Sequence, residues 1–219
     1  MGTTKHKLAV IVVAGAATAG FALAGTVPAV AAPGQTAAAA ICTSVKHPRL
    51  AARMSRGISA ALKDRVDSTV GLAASDPRYG LTCALHSTVH FISASVIKVT
   101  IISALLRKVH GPSGLTTAQR RLAYLMITQS SNSAATALWN DVGMPDMQAF
   151  LNRAGMRHTI LSDAWGLTQI TAQDELTLLH VLTTSNKVLS KSSRRYVLRL
   201  MAEVIPSERW GSRPARRLT

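Results

Sequence analysis

One apolar helix constrains the rest of this chain. In SASVIKVTIISALL, the side chains of Val96, Ile97, Val99, Ile101, Ile102, Leu105 and Leu106 cover nearly the whole circumference of a helix. A helix that is apolar all round is stable only when other elements enclose it, so this one is expected to run through the core. Lys98 interrupts the run, and two readings fit it. Ser95 caps the helix while Lys98 reaches solvent, or the two side chains, one turn apart on one face, form a nucleophile and its base. In the second case burial disfavours the ammonium and makes the amine a proton acceptor near neutral pH. The helix start would then favour negative charge developing at Ser95. The Ser-x-x-Lys spacing alone does not choose between the two.

The elements around this helix read as mainly helical. Pro48 opens HPRLAARMSRGISAALKDR, in which Leu50, Met54, Ile58, Ala61 and Leu62 recur at helical spacing. STVGLAAS and YGLTCALH flank the turn signal Asp76-Pro77-Arg78, which predicts a β-hairpin. The Ser95 helix is expected to end at Gly111-Pro112, and Thr116 or Thr117 to cap a second that runs through RRLAYLMIT. Helices over Ser133 to Asp141 and over Pro145 to Ala154, closed by Gly155, follow. After a loop from Met156 to Ile170, TAQD at Thr171 predicts a capping box for a helix through LTLLHVL, and Ser190 starts the last one. The order of helix, hairpin and helical block argues an α+β fold.

The first 32 residues are expected to be a secretory signal peptide. Lys5 and Lys7 give a basic start, Leu8 to Ala24 an apolar run, and Ala29-Val30-Ala31 a small-residue site, with cleavage near Ala31 or Ala32. A membrane anchor is the weaker alternative, since the glycine- and alanine-rich run ends between Pro28 and Pro33. Residues 33–47 read as an alanine-rich linker and 48–219 as one domain. Export places Cys42 and Cys83 in an oxidising compartment, where they can pair or stay free thiols. Pairing would close a loop of about 40 residues and contribute about 4 kcal/mol.

The formal charge is +15. That attracts polyanions, and for an exported protein the candidates are anionic cell-envelope polymers, although charge that serves only solubility fits equally. Nucleic acid is not expected: aromatics are 4% and no zinc-finger or stacking motif occurs. No metal site is expected either, because His86 and His90 lack a third ligand. Trp165, in the 156–170 loop, is the tryptophan better placed to line a cleft; Trp139 reads as core.

A second polar element joins the first. MITQSSNSAATALW places Gln129-Ser130-Ser131-Asn132 between two helices, downstream of SASVIK. Together the two stretches resemble the penicillin-recognising serine enzymes, the class A β-lactamases and the wall carboxypeptidases and transpeptidases. The likeness extends from about Pro48 to Trp210 and implies a β-lactamase/transpeptidase-like fold. It also implies that Ser95 is the acylated nucleophile, Lys98 its base, Ser130 a proton relay to the leaving nitrogen, and that Asn132 holds the substrate amide. Expected substrates are β-lactam rings or wall peptides ending in D-alanine, with no metal or cofactor, and the protein is expected to be a monomer.

Three departures qualify the expectation. Ser131 stands where the family has Asp, a residue that braces the loop. HTILSDAWGLTQI holds Asp163 as its only acid, where class A enzymes place a glutamate that activates the deacylating water, so slow hydrolysis of an acyl-enzyme is expected. No Lys-x-Gly follows Trp210, and loss of an oxyanion donor costs about 2.7 to 4 kcal/mol of transition-state stabilisation. The carboxy-terminal strands and helix of the family are therefore expected to be missing, which would leave the hairpin a ribbon with a bare edge. The alternative function is a catalytically impaired remnant that binds anionic envelope polymers.

Overall fold

The computed structural model describes residues 9–16, 40–63 and 68–209. The cleavage site near Ala31, the linker residues 35–39 and the tail from Trp210 lie outside the described residues. The chain divides into two units, residues 1–89 and 90–219.

In the first unit, strands β1 (Ala9–Ala16), β2 (Cys42–Thr43), β3 (Ser68–Asp76) and β4 (Leu81–Leu85) form an antiparallel sheet in the order β1-β3-β4-β2. The hairpin β3–β4 turns at Asp76, whose carboxylate accepts from the backbone N–H of Arg78 at 3.0 Å and from its guanidinium Nε and Nη2 at 3.0 and 2.6 Å. The hairpin's edges are not bare as expected. Two-residue β2 covers one, and β1, within the stretch read as a signal peptide, pairs with β3 from Ala9 opposite Ser75 to Ala16 opposite Ser68. Cys42 lies opposite Cys83, and a disulfide joins them.

Helix α1 (Pro48–Leu62) carries Pro48 in its first turn, where the missing N–H costs nothing. It packs on β2, with Ala51 buried and Met54 and Ile58 partly covered in a small core of Cys42, Leu72, Ala74, Leu81 and Cys83. The alternation along β4 is buried Leu81 and Cys83 against exposed Thr82 and Ala84, as a half-covered sheet requires.

The second unit is built around α2 (Lys98–Lys108), with Ile97, Ile101, Ile102, Leu105 and Leu106 wholly buried. Around it pack α3 (Thr117–Thr128), α4 (Asn132–Val142), α5 (Met144–Ala154) and α7 (Lys191–Ala202), and α6 (Ala172–Thr183) joins α5 and α7. The enclosed helix thus has its predicted place. Its interior hydroxyl Ser103 is satisfied by donating to the carbonyl of Val99 at 2.7 Å. Gly155, at φ 79°, ends α5 in the left-handed conformation that favours glycine.

The capping box does not fall where TAQD predicts it. Thr171 accepts from the N–H of Asp174, but the Asp174 carboxylate turns away to other partners, leaving half a box. The complete box is at α3, where Thr116 and Gln119 bond each other's backbone N–H at 3.1 and 3.0 Å. A two-stranded ladder of β5 (Phe91–Ile92) and β6 (Gln169–Ile170) joins the start of the unit to the loop before α6. Among the described residues no helix is long and apolar enough to cross a membrane.

Candidate active site

Ser95 stands on a 3-10 turn, Ala94–Ile97, that leads directly into α2. The turn opens with Ala94 at φ 43°, an unusual left-handed position for a residue with a side chain. Neither Ser93 at the start of this turn nor Ile97 before α2 makes a side-chain cap, so Ser95 is free to present its hydroxyl outward. Lys98, one turn on, is 2% exposed. The reading that sends it into solvent does not describe this structure.

The Lys98 ammonium finds four oxygens. Its Nζ donates to Ser95 Oγ at 3.0 Å, Ser130 Oγ at 3.0 Å, the Ser130 carbonyl at 2.6 Å and Asn132 Oδ1 at 2.8 Å. Ser130 Oγ in turn donates to Ser95 Oγ at 3.1 Å, which closes a triangle of two hydroxyls and one amine. Ser130 reaches this position because it too is left-handed, at φ 53°, which turns its carbonyl and its hydroxyl toward the same nitrogen.

The loop that carries Ser130 is braced at both sides. The N–H groups of Gln129 and Ser131 both donate to the Leu125 carbonyl at 3.2 Å. Ser131 Oγ accepts from the N–H of Ala134 at 3.3 Å and caps α4, which adds to the backbone bonds that hold the loop.

Burial lowers the Lys98 pKa below the usual lysine value, and the negative charge of Glu208 opposes that shift. Glu208 belongs to a 3-10 turn, Pro206–Glu208, that follows α7 and is held by a bond from the Ile205 N–H to the Thr128 carbonyl at 3.0 Å. Nothing in the local sequence around Ser95 announces this carboxylate. The Trp165 ring also lies over Lys98, 5.1 Å from the ring centre, and its indole N–H donates to Thr136 Oγ1 at 3.0 Å. Trp165 is held from beneath: Ser93 Oγ donates to the carbonyls of Trp165 and Gly166 at 3.3 and 3.4 Å, and the Ser93 N–H to that of Thr168 at 2.8 Å.

The structure therefore brings Ser95, Lys98, Ser130 and Asn132 together and adds Trp165. Asp163 is exposed on the 156–170 loop. His86 and His90 each bond a backbone carbonyl, that of Val70 at 3.2 Å and that of His158 at 2.7 Å respectively. Trp139 is buried in the helical core. What sequence spacing missed was Glu208, Thr136 and the ring of Trp165 on Lys98, all contacts between elements remote in the chain.

Residues 110–209 match the β-lactamase enzyme family. That segment holds Ser130 and Asn132, whereas Ser95 and Lys98 precede it. No curated protein sequence matches the chain. Solved structures do. A β-lactamase from Sphaerobacter thermophilus is 21% identical with a TM-score of 0.59, over 68% of this chain and 70% of that one. One from Desulfarculus baarsii is 18% identical with a TM-score of 0.58, over 70% of each. An ancestral class A β-lactamase is 19% identical with a TM-score of 0.54, over 68% of this chain and 71% of the other. The chain has the β-lactamase-like fold, and its residues 110–209 match the model of the β-lactamase enzyme family.

Proposed function

We propose that this protein is an exported serine acyl-transfer hydrolase that opens β-lactam rings or cleaves D-alanyl wall peptides through an acyl-serine. The observation that carries the reading is a buried amine within 3.0 Å of two hydroxyls that also bond each other. Lys98, as the free amine that burial favours, takes the proton of Ser95 while Oγ attacks the carbonyl carbon. The proton passes to Ser130 and from its hydroxyl to the departing nitrogen, as the carbonyl–nitrogen bond breaks. Asn132 orients the substrate amide. This sequence of steps needs no metal.

Return of the enzyme needs a water and a base. Among the described residues the hydrogen-bond acceptors of Lys98 are Ser95, Ser130 and Asn132, none of them a carboxylate, so Lys98 itself is the available base and hydrolysis of the acyl-serine is expected to be slow. A second reading, a noncatalytic protein that binds anionic envelope polymers, is favoured by the charge of +15. A fluorescent penicillin separates them. We expect covalent labelling of the wild-type protein that Ser95→Ala abolishes, read by gel fluorescence and intact mass. A folded wild-type sample that takes no label, or a Ser95→Ala variant that still does, overturns the enzymatic reading.

A further inference from the structure

A cavity of about 320 Å³ opens beside the end of α2, apart from the site just described. Its volume falls at the lower end of the range of small-molecule sites, roughly 300 to 1,000 Å³. Arg107, His110 and Lys187 line it, and no Asp or Glu does. Among the described residues none of the three forms an ion pair. Lys108, one residue along, pairs with Asp146 at 3.0 Å in a neighbouring groove whose wall Arg107 and His110 share, so the acid on that side is already engaged.

The rim is already built. Asn186 ties it in four directions: its Nδ2 donates to the carbonyls of Val181 and Thr184 at 2.7 and 2.9 Å, and its Oδ1 accepts from the N–H groups of Val188 and Leu189 at 2.9 and 3.0 Å. Arg107 donates through one Nη to the Val188 carbonyl at 3.1 Å, which fixes the guanidinium and leaves its other donors unassigned. On the side of Gly111 the hydroxyls of Ser192 and Ser193 each lie 2.9 Å from that of Ser190, which caps α7 by accepting from the Ser193 N–H at 3.1 Å, so this side of the rim is tied as well.

Positive charge gathered around a concave surface that no Asp or Glu lines favours an anion. The donor set selects among anions. A guanidinium fork, an ammonium and an imidazole N–H approach from several directions, which suits the several acceptor oxygens of a tetrahedral group better than a planar carboxylate. The remainder of the wall, at Leu106, Val188 and Leu189, is apolar. We infer that this cavity binds the phosphate group of a small phosphorylated molecule, held by Arg107, Lys187 and His110, with its uncharged part against Val188 and Leu189.

Isothermal titration with inorganic phosphate and with glycerol 3-phosphate, at constant ionic strength set by chloride, tests this on the full chain. We expect saturable one-to-one binding of both, with glycerol 3-phosphate the tighter. Lys187→Glu puts a like charge against the ligand at an exposed position, and should weaken both about tenfold or more. Arg53→Glu, the same charge change on α1, should leave affinity within about twofold. Phosphatidylglycerol vesicles form the third arm. No saturable heat with either soluble phosphate, equal losses in the two variants, or binding to vesicles alone would overturn the inference.

Discussion

Glu175 carries a carboxyl group into the protein interior and leaves one oxygen, Oε1, without a hydrogen bond. Burial, aided by the charge of Asp174 beside it, pushes its pKa up to about 8. The unfolded chain releases this proton near the ordinary carboxylate value, so between that value and pH 8 the folded state holds more protons. Stability from this group is therefore fully present below the unfolded pKa, falls as pH rises, and is lost once pH passes about 8. Thermal midpoints measured from pH 5 to 8 should decline more steeply for the wild type than for Glu175→Gln, and parallel curves would contradict this account. Ser95 and Lys98 were legible in the sequence because their relation is local, one helical turn apart. Lys98 was informative because a charge in an otherwise apolar helix has few explanations. Glu175 gave no such signal, since an acid in the first turn of a helix ordinarily faces water and stabilises the helix start.

The 156–170 loop shows how an element is held where no regular structure holds it. At its beginning the buried Asp174 carboxylate accepts from the His158 N–H and from Thr159 Oγ1, both at 2.8 Å, and meets the His158 ring at 3.2 Å. At its end the loop bonds Ser93 and joins β5 through β6. Removal of the Asp174 side chain takes the partner from three donors, one of them the buried Thr159 hydroxyl, whereas removal of the Thr171 hydroxyl loses one cap. Asp174→Ala should therefore cost about 3 kcal/mol or more and Thr171→Ala about 1 kcal/mol in urea unfolding. An equal or reversed order would show that the cap, and not the loop anchor, dominates. Thr-x-x-Asp was read as a reciprocal box because the spacing allows one. The carboxylate's competing partners, His158 and Thr159, lie 16 and 15 residues away, where spacing rules do not reach.

At the scale of the whole molecule the helix order was legible almost throughout, because apolar periodicity, capping residues and glycine stops agree along the second unit. The sheet was less so. The hairpin came from its turn residues, but its neighbours β1 and β2 pair through backbone groups that carry no sequence mark. Cys42 and Cys83 span 41 residues of the first unit, and the chain has no other cysteine. The double variant Cys42→Ser/Cys83→Ser should lose about 4 kcal/mol in chemical denaturation; a loss under about 1 kcal/mol would mean that the unfolded chain is already constrained. The double tether of the 156–170 loop sets limits on how such a molecule can be remodelled. A residue inserted near either knot would drag Ser95 or α6 with it. Even an insertion at the exposed Asp163 is closely bounded, by the Ser162 N–H on Thr168 Oγ1 at 3.4 Å before it and by the Leu167 N–H on the Ala164 carbonyl at 2.8 Å after it, and would move the Trp165 ring from its place over Lys98.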